Sequence, residues 1–386
     1  MNIEDRIAEI EGYIIDLRRR FHQNPELSWE EYETSKIISE ELDKMKIPYK
    51  KECGTAVIAT IKGGKPGKAL GIRADIDALP IKEETGLEYA SKKEGVMHAC
   101  GHDAHTAILL GTARILNDIK DELVGDVRLV FQPAEEFIQD SGAKYLSQLD
   151  SILTLDRIIG LHIWANIDSG KAALREGPIM ASADTFDIYI EGKSGHGAQP
   201  DQAIDPIVAG SMAVNALQTI VSRENNPLDP QVISITASNS GSSKNIIPQA
   251  AHLEGTTRAF NNNVRDNFES QIRRILEGIA TITRTKIKLE YHNGTPATIN
   301  EPESTKLGIK VAKEVFKDGF IGNFPLQMGG EDFAKYLVNI PGCFMFLGGA
   351  GKAGHFSQHN KSFQIDEAAL KLGVEYFVRY ALAYLK

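Results

Sequence analysis

The chain has 386 residues, 42% apolar and 25% charged, more than one core usually holds, so two domains are expected. A net charge of −9 leaves no basic stripe to neutralise phosphates and argues against nucleic acid as a partner. The charged N-terminus has no signal-peptide apolar run, no stretch nears the roughly 18 apolar residues of a membrane span, and the cysteines Cys53, Cys100 and Cys343 form no disulfide framework. A cytoplasmic location follows as the default, with Cys53 and Cys343 read as core.

Helical periodicity covers residues 3–22 and 28–46, broken at Asn24-Pro25. Apolar runs at 55–62 and 69–74, separated by the turn segment KGGKPGK, predict strands. A helix is expected over 104–117 and buried strands over 126–132 and 157–163. Helix and strand in alternation predict an α/β layer around a largely parallel sheet. The middle then reads as strand 184–191, helix 204–223, strands 231–238 and 251–260, helix 264–283 and strand 286–291. This β-α-β-β-α-β order is the split ferredoxin-like pattern. The α/β character returns with a helix at 303–317, a strand at 343–347 and a helix at 366–385. The simplest account is one domain (1–182 and 294–386) interrupted by an inserted one (183–293).

The segment Met97–His105, MHACGHDAH, packs three imidazoles, a thiol and a carboxylate around a glycine, all able to bind a divalent transition metal. Asp75 and Asp77 follow the strand ending near Ala74. Glu135 and Glu136 follow Gln132, where Pro133 prevents the strand from continuing. His162 ends the run RIIGLHI. Such groups collect beyond the carboxyl ends of strands, where open α/β sheets bind ligands. Adjacent glutamates suit a division of labour, one binding metal and one moving a proton of activated water.

Each group has a plainer reading. Alone, Cys100 is a buried apolar cysteine, the glutamate pair two solvated charges, and His162 a hydrogen-bonded core residue. His196 fits a glycine-rich turn, Arg258 an exposed ion pair, and Asp75 a loop held by backbone hydrogen bonds. Glu331-Asp332 reads as a helix cap and Trp164 as core. It is their combination that favours a metal site.

The segments RADIDALP (73–80), MHACGHDAHT (97–106), FQPAEE (131–136), GLHIW (160–164), GKSGHGAQP (192–200), MGGEDF (328–333) and HFSQHN (355–360) together resemble the M20 metallopeptidase/amidohydrolase family. The resemblance is to its N-acyl-amino-acid amidohydrolase branch and runs from about Leu17 to the C-terminus. It implies a zinc-peptidase-like catalytic domain with an inserted ferredoxin-like dimerisation domain, hence a homodimer. It implies two divalent ions (zinc, manganese, cobalt or nickel) on Cys100, His102, Glu136, His162 and His359, with Cys100 replacing the bridging aspartate of other relatives. Glu135 matches the general base and Asp77 the residue that orients the site. His196 matches a histidine that reaches the partner subunit's site, while Asn245 and Arg258 fall in segments facing the substrate carboxylate. His98 and His105 match no ligand position.

The expected reaction is metal-dependent hydrolysis of the amide bond of a small N-acyl amino acid. The nearest alternative is a dipeptidase or carboxypeptidase of the same mechanism. A cysteine-nucleophile amidase with His102 or His105 as base, and a metal-binding scaffold, remain as further readings.

Overall fold

Ile7, Ile10, Ile14, Leu17 and Phe21 recur at helical spacing, and all are buried on one face of the first helix, Ile3–Gln23. The chain is described by a computed structural model over residues 2–351 and 354–386. Met1, Lys352 and Ala353, which fall inside the outer spans expected above, lie outside the described residues. The chain divides into two units. One runs up to Gly177 and continues through Ile299–Pro325 and Asp332–Lys386. The other comprises Pro178–Thr298 and Leu326–Glu331.

The first unit is built on an eight-stranded sheet. Its order is Tyr49–Glu52, Ala56–Ile61, Val124–Gln132, Lys65–Asp75, Arg157–Asp168, Gly342–Ala350, Ala172–Ala173 and Phe320–Ile321. The four central strands, Val124–Gln132 through Gly342–Ala350, are mutually parallel. Apart from the exposed start of Lys65–Asp75 and the end of Arg157–Asp168 they are largely buried and apolar, as parallel strands covered on both faces are. The helix His102–Asp118 is buried along nearly its whole length, and packs against the first helix, the last helix (Ala368–Tyr384) and the sheet.

The second unit carries a four-stranded antiparallel sheet in the order Gln231–Ser240, Ala250–Ala259, Ala183–Glu191, Lys286–Thr295. Numbered along the chain, that is 2-3-1-4, the ferredoxin-like arrangement. Helices Pro206–Thr219 and Asn262–Thr283 are capped by Asp205 and Asn261, whose side chains accept backbone N–H groups of the first turn. Phe268, Ile272, Leu276 and Ile279 pack from the longer helix onto Phe186, Ile188, Ile190 and Leu253.

Several expectations need correction. The edge strand Tyr49–Glu52 and the short strands Ala172–Ala173 and Phe320–Ile321 were not anticipated. The strand after the first hairpin begins at Lys65, so it includes the Pro66-Gly67 segment read as a turn. The strand expected to end at Ile163 runs to Asp168, so His162 lies inside it. Cys53 is not core: it is half-exposed, at φ 44°, in the turn joining the two edge strands. Cys343 is buried, as expected.

Candidate metal centre

Neighbouring strands of unequal length build the site. Arg73 pairs with Gly160, so two residues further on Asp75, the last residue of its strand, comes level with His162. Gly101 starts the helix at φ 91°, and a Cβ there would collide with Cγ2 of Ile163. Glycine at this point lets Cys100 and His102 face the strand end.

Asp77 organises the centre. Its Oδ1 lies 3.1 Å from Nδ1 of His102, and its Oδ2 accepts from Ser28 Oγ at 2.7 Å and from the Glu136 backbone N–H at 3.0 Å. The Asp77 carbonyl also accepts from His102 Nδ1 at 3.0 Å. The His102 proton is thereby held on Nδ1, and Nε2, buried, has no hydrogen-bond partner. His162 is arranged alike: Nδ1 donates to the Ile163 carbonyl at 2.7 Å, leaving Nε2 at 3.3 Å from Cys100 Sγ. A histidine whose second nitrogen donates to a carboxylate or carbonyl is the usual form of a metal-bound imidazole.

Two three-residue sets share one thiol. Ligand atoms of Cys100, His102 and His162 lie within 4.8 Å of one another, and so do those of Cys100, Glu136 and His359. His359 Nε2 is 3.2 Å from Glu136 Oε1, and its backbone N–H, at φ 60°, donates to Ala99. Glu135 is buried with Oε2 4.0 Å from His102 Nε2, and forms a third set with His102 and Glu136.

The electrostatics suit a cation. Burial opposes charge on His102, yet Asp75, Asp77 and Glu136 outweigh it and push the imidazole up to about 10. Burial, then Glu136, Glu135 and Asp75, push the Cys100 thiol well above its usual range. Burial and the neighbouring His105 hold His162 well below the ordinary imidazole value, neutral and fit to be a ligand. Imidazole, thiol and carboxylate crowded around an unsatisfied nitrogen form a donor set for a borderline divalent ion.

The other histidines of the motif stand apart. His105 sets Nδ1 at 2.5 Å from Asp75 and accepts the Ile163 N–H on Nε2 at 2.8 Å, so both nitrogens are engaged. His98 is buried, held neutral chiefly by desolvation at about 4, and belongs to no donor cluster among the described residues. Asp75 is not held by backbone bonds: it takes Arg73 at 2.6 Å as well as His105. The Asp332 carboxylate sits in a buried ion pair with Arg73 at 2.6 Å, and accepts from Gln132 at 2.7 Å and from the Ala143 N–H, in the first turn of the helix Gly142–Leu146, at 3.3 Å. Trp164 packs against His162 and Phe346.

His196, Asn245 and Arg258 lie in the second unit. His196 is exposed, in a two-residue strand (Gly195–His196) paired with Ile246–Ile247, next to Asn245. Its Nδ1 accepts from the Ala198 N–H at 3.0 Å. The Asn245 side chain accepts from Ser243 Oγ at 2.7 Å. Arg258, on the strand Ala250–Ala259, donates to the Thr257 carbonyl at 2.8 Å and to Thr256 Oγ1.

Ser28, Glu31 and Arg73 were missed. Their only sequence signal was the polar run NPELSWEE after the first helix and an arginine inside an apolar strand.

Residues 71–383 match the peptidase family M20/M25/M40. Thermostable carboxypeptidase 2 of Saccharolobus solfataricus is 41% identical over 96% of this chain and 95% of its own. N-acetyl-L-cysteine deacetylase of Bacillus subtilis is 41% identical over 96% and 88%. A crystal structure from Bacillus subtilis, described as a dinuclear metal-binding peptidase of the M20 family, is 37% identical with a TM-score of 0.85, covering 98% of this chain and 99% of that one.

Proposed function

The chain belongs to peptidase family M20/M25/M40 and is a metal-dependent hydrolase, and within that family we propose that it removes the acyl group from N-acyl amino acids. The observation that carries this reading is the pair of donor sets sharing Cys100, with the buried carboxylate of Glu135 beside them.

Cys100, His102, Glu136, His162 and His359 would hold the ions, Cys100 belonging to both donor sets. When bound, divalent ions supply Lewis acidity for a carbonyl oxygen and bring the ionisation of water towards neutral pH. The remaining work falls to side chains. Asp77 keeps the His102 proton on Nδ1, so that Nε2 offers a lone pair. Glu135 takes a proton from the attacking water as its oxygen bonds to the carbonyl carbon, and gives it to the nitrogen as the C–N bond breaks. The products are a carboxylic acid and an amino acid. By resemblance, His196 of a partner chain donates to the carbonyl oxygen as it becomes negative, while Asn245 and Arg258 hold the substrate carboxylate. This assignment makes the working form a homodimer, and a fully active monomer would refute the trans role of His196.

The cysteine-nucleophile reading loses support. Both nitrogens of His105 are engaged, so it cannot serve as base for Cys100, and a thiol nucleophile leaves Glu135, Glu136 and His359 without roles. The surrounding carboxylates oppose a free thiolate. Carboxypeptidase action is the second reading, favoured by the identity to the Saccharolobus enzyme. It breaks the same kind of bond beside the same terminal carboxylate.

The test is hydrolysis of a panel of N-acetyl, N-benzoyl and N-aminoacyl amino acids by chelator-stripped protein. Zn²⁺, Mn²⁺, Co²⁺ or Ni²⁺ is restored singly. Ion-dependent release of amino acid from simple acyl substrates supports deacylation. Release from the peptides alone transfers the assignment to carboxypeptidase, and full activity without ions refutes the metal reading.

A further inference from the structure

Glu135 and Glu136 follow Ala134, which holds a left-handed backbone at φ 53°. Such a φ is uncommon for a residue bearing a Cβ and persists only where the surroundings enforce it. What enforces it comes from the polar run between the first two helices. Oε1 of Glu31 accepts the Ala134 N–H at 2.9 Å and also the Trp29 N–H at 3.0 Å. Trp29 is itself left-handed, at φ 69°. The other oxygen, Oε2, accepts from Thr55 Oγ1 at 2.6 Å. One fully buried carboxylate thus holds two strained turns. The Trp29 turn carries Ser28 onto Asp77, and the Ala134 turn delivers the Glu136 N–H to the same Oδ2.

We propose that Glu31 is a positioning residue for the reaction: by clamping Ala134 and Trp29 it sets the placement of Glu135 and Glu136, and through Ser28 the orientation of Asp77. The inference rests on the roles proposed above for Glu135 and Glu136. Glu31 touches neither substrate nor ion and acts wholly through the backbone. Its carboxyl is buried at a disadvantage, raised to about 7 by desolvation and Asp77 together. Buried groups held at such a disadvantage are characteristic of functional sites.

The test compares the full-length protein with Glu31→Ala, Glu31→Gln and Glu135→Gln. Four quantities are read: kcat, KM, affinity of the stripped protein for Zn²⁺ by competition with a chromogenic chelator, and thermal unfolding. Glu31→Ala is expected to lower kcat about 100-fold, the scale of an ångström-sized misplacement. KM should stay within about twofold, and Zn²⁺ affinity should fall about tenfold, as when support for a ligand is removed. In Glu31→Gln the amide oxygen still accepts both N–H groups and the Thr55 hydroxyl reverses to accept the amide N–H. That variant should recover kcat to within about threefold, because all three hydrogen bonds persist in neutral form.

A folded Glu31→Ala with kcat and Zn²⁺ affinity both within twofold of the parent overturns the proposal. So does a Glu31→Gln as impaired as Glu31→Ala. If Glu31→Ala yields no folded protein, Glu31→Asp takes its place. It keeps the charge, falls one carbon short of Ala134, and should lose kcat in the same way; full activity there refutes the clamp. Glu135→Gln separates the two readings. If it keeps near-parental kcat, the assignment of the base fails; if it is inactive while Glu31→Ala is normal, only the clamp fails.

Discussion

Asp77→Asn tests the centre without changing its shape. The native carboxylate is buried and accepts on both oxygens: His102 Nδ1 at 3.1 Å on Oδ1, Ser28 and the Glu136 N–H at 2.7 and 3.0 Å on Oδ2. An amide offers one acceptor and one donor. With its nitrogen in the Oδ2 position it meets the Glu136 N–H, which cannot reverse, and two buried donors face each other at a cost of about 1–3 kcal/mol. With its nitrogen in the Oδ1 position it meets His102 Nδ1, which must pass its proton to Nε2 and lose the lone pair meant for the ion. Either arrangement should weaken divalent-ion binding about 10–100-fold, the range seen when a carboxylate behind a ligand histidine is removed. That is roughly 1.4–2.7 kcal/mol at 1.36 kcal/mol per decade. Competition with a chromogenic chelator measures it directly. An Asp77→Asn protein that binds Zn²⁺ within twofold of the parent would show that Asp77 does not orient His102, and the reasoning would fail.

Cys100→Ser keeps size but replaces a soft donor shared by two sets, so ion affinity should fall at least ~10-fold and turnover with it; unchanged ion content on equilibrium dialysis would remove Cys100 from the ligand set. Gly101→Ala forces a Cβ onto Ile163 at a left-handed φ, and should cost roughly 1–3 kcal/mol of stability while displacing Cys100 and His102; an unchanged melting temperature with normal ion affinity would contradict the packing. The stripped protein has a pH signature from His102. Its folded-state value is raised from 6.5 to about 10, so its contribution to stability is complete below about pH 6.5 and is lost as pH rises through 10. Ion binding runs the other way, displacing the His102 proton and strengthening with pH over the same window. Titration calorimetry in buffers of different ionisation enthalpy should therefore show net proton release at pH 7, and none at all would refute the assignment.

The elements with strong periodicity were legible. The helix ending at Gln23 and the helix starting at Asn262 show their buried stripes in the residue order itself. The edge strand Tyr49–Glu52 was not legible, because YKKE is polar and lies at the margin of the sheet, where pairing rather than burial makes the strand. Strands as short as Ala172–Ala173 carry no period at all. At the site, Cys100, His102, Glu135 and Glu136 could be singled out because their chemistry is unusual at a strand or helix end. Arg73, Asp75 and Asp332 could not be interpreted, since an arginine and two aspartates far apart in sequence become a buried ion network only once the sheet assembles. Glu31 is the extreme case: beside Trp29 and Glu30 it reads as surface, and its meaning lies in where Ala134 arrives.

The order in which the chain is made bears on when the first unit can close. Its central strand Arg157–Asp168 has Lys65–Asp75 on one side and Gly342–Ala350 on the other, and the second neighbour is synthesised only after the entire inserted sheet has passed. A chain emerging from the ribosome can complete the inserted unit while Arg157–Asp168 still has an unpaired apolar edge, the kind of surface that invites association. His359 arrives later still. Until those last residues are out, the protein is a finished module threaded through an unfinished one, and vulnerability to aggregation and to proteases should be greatest at that stage of its life.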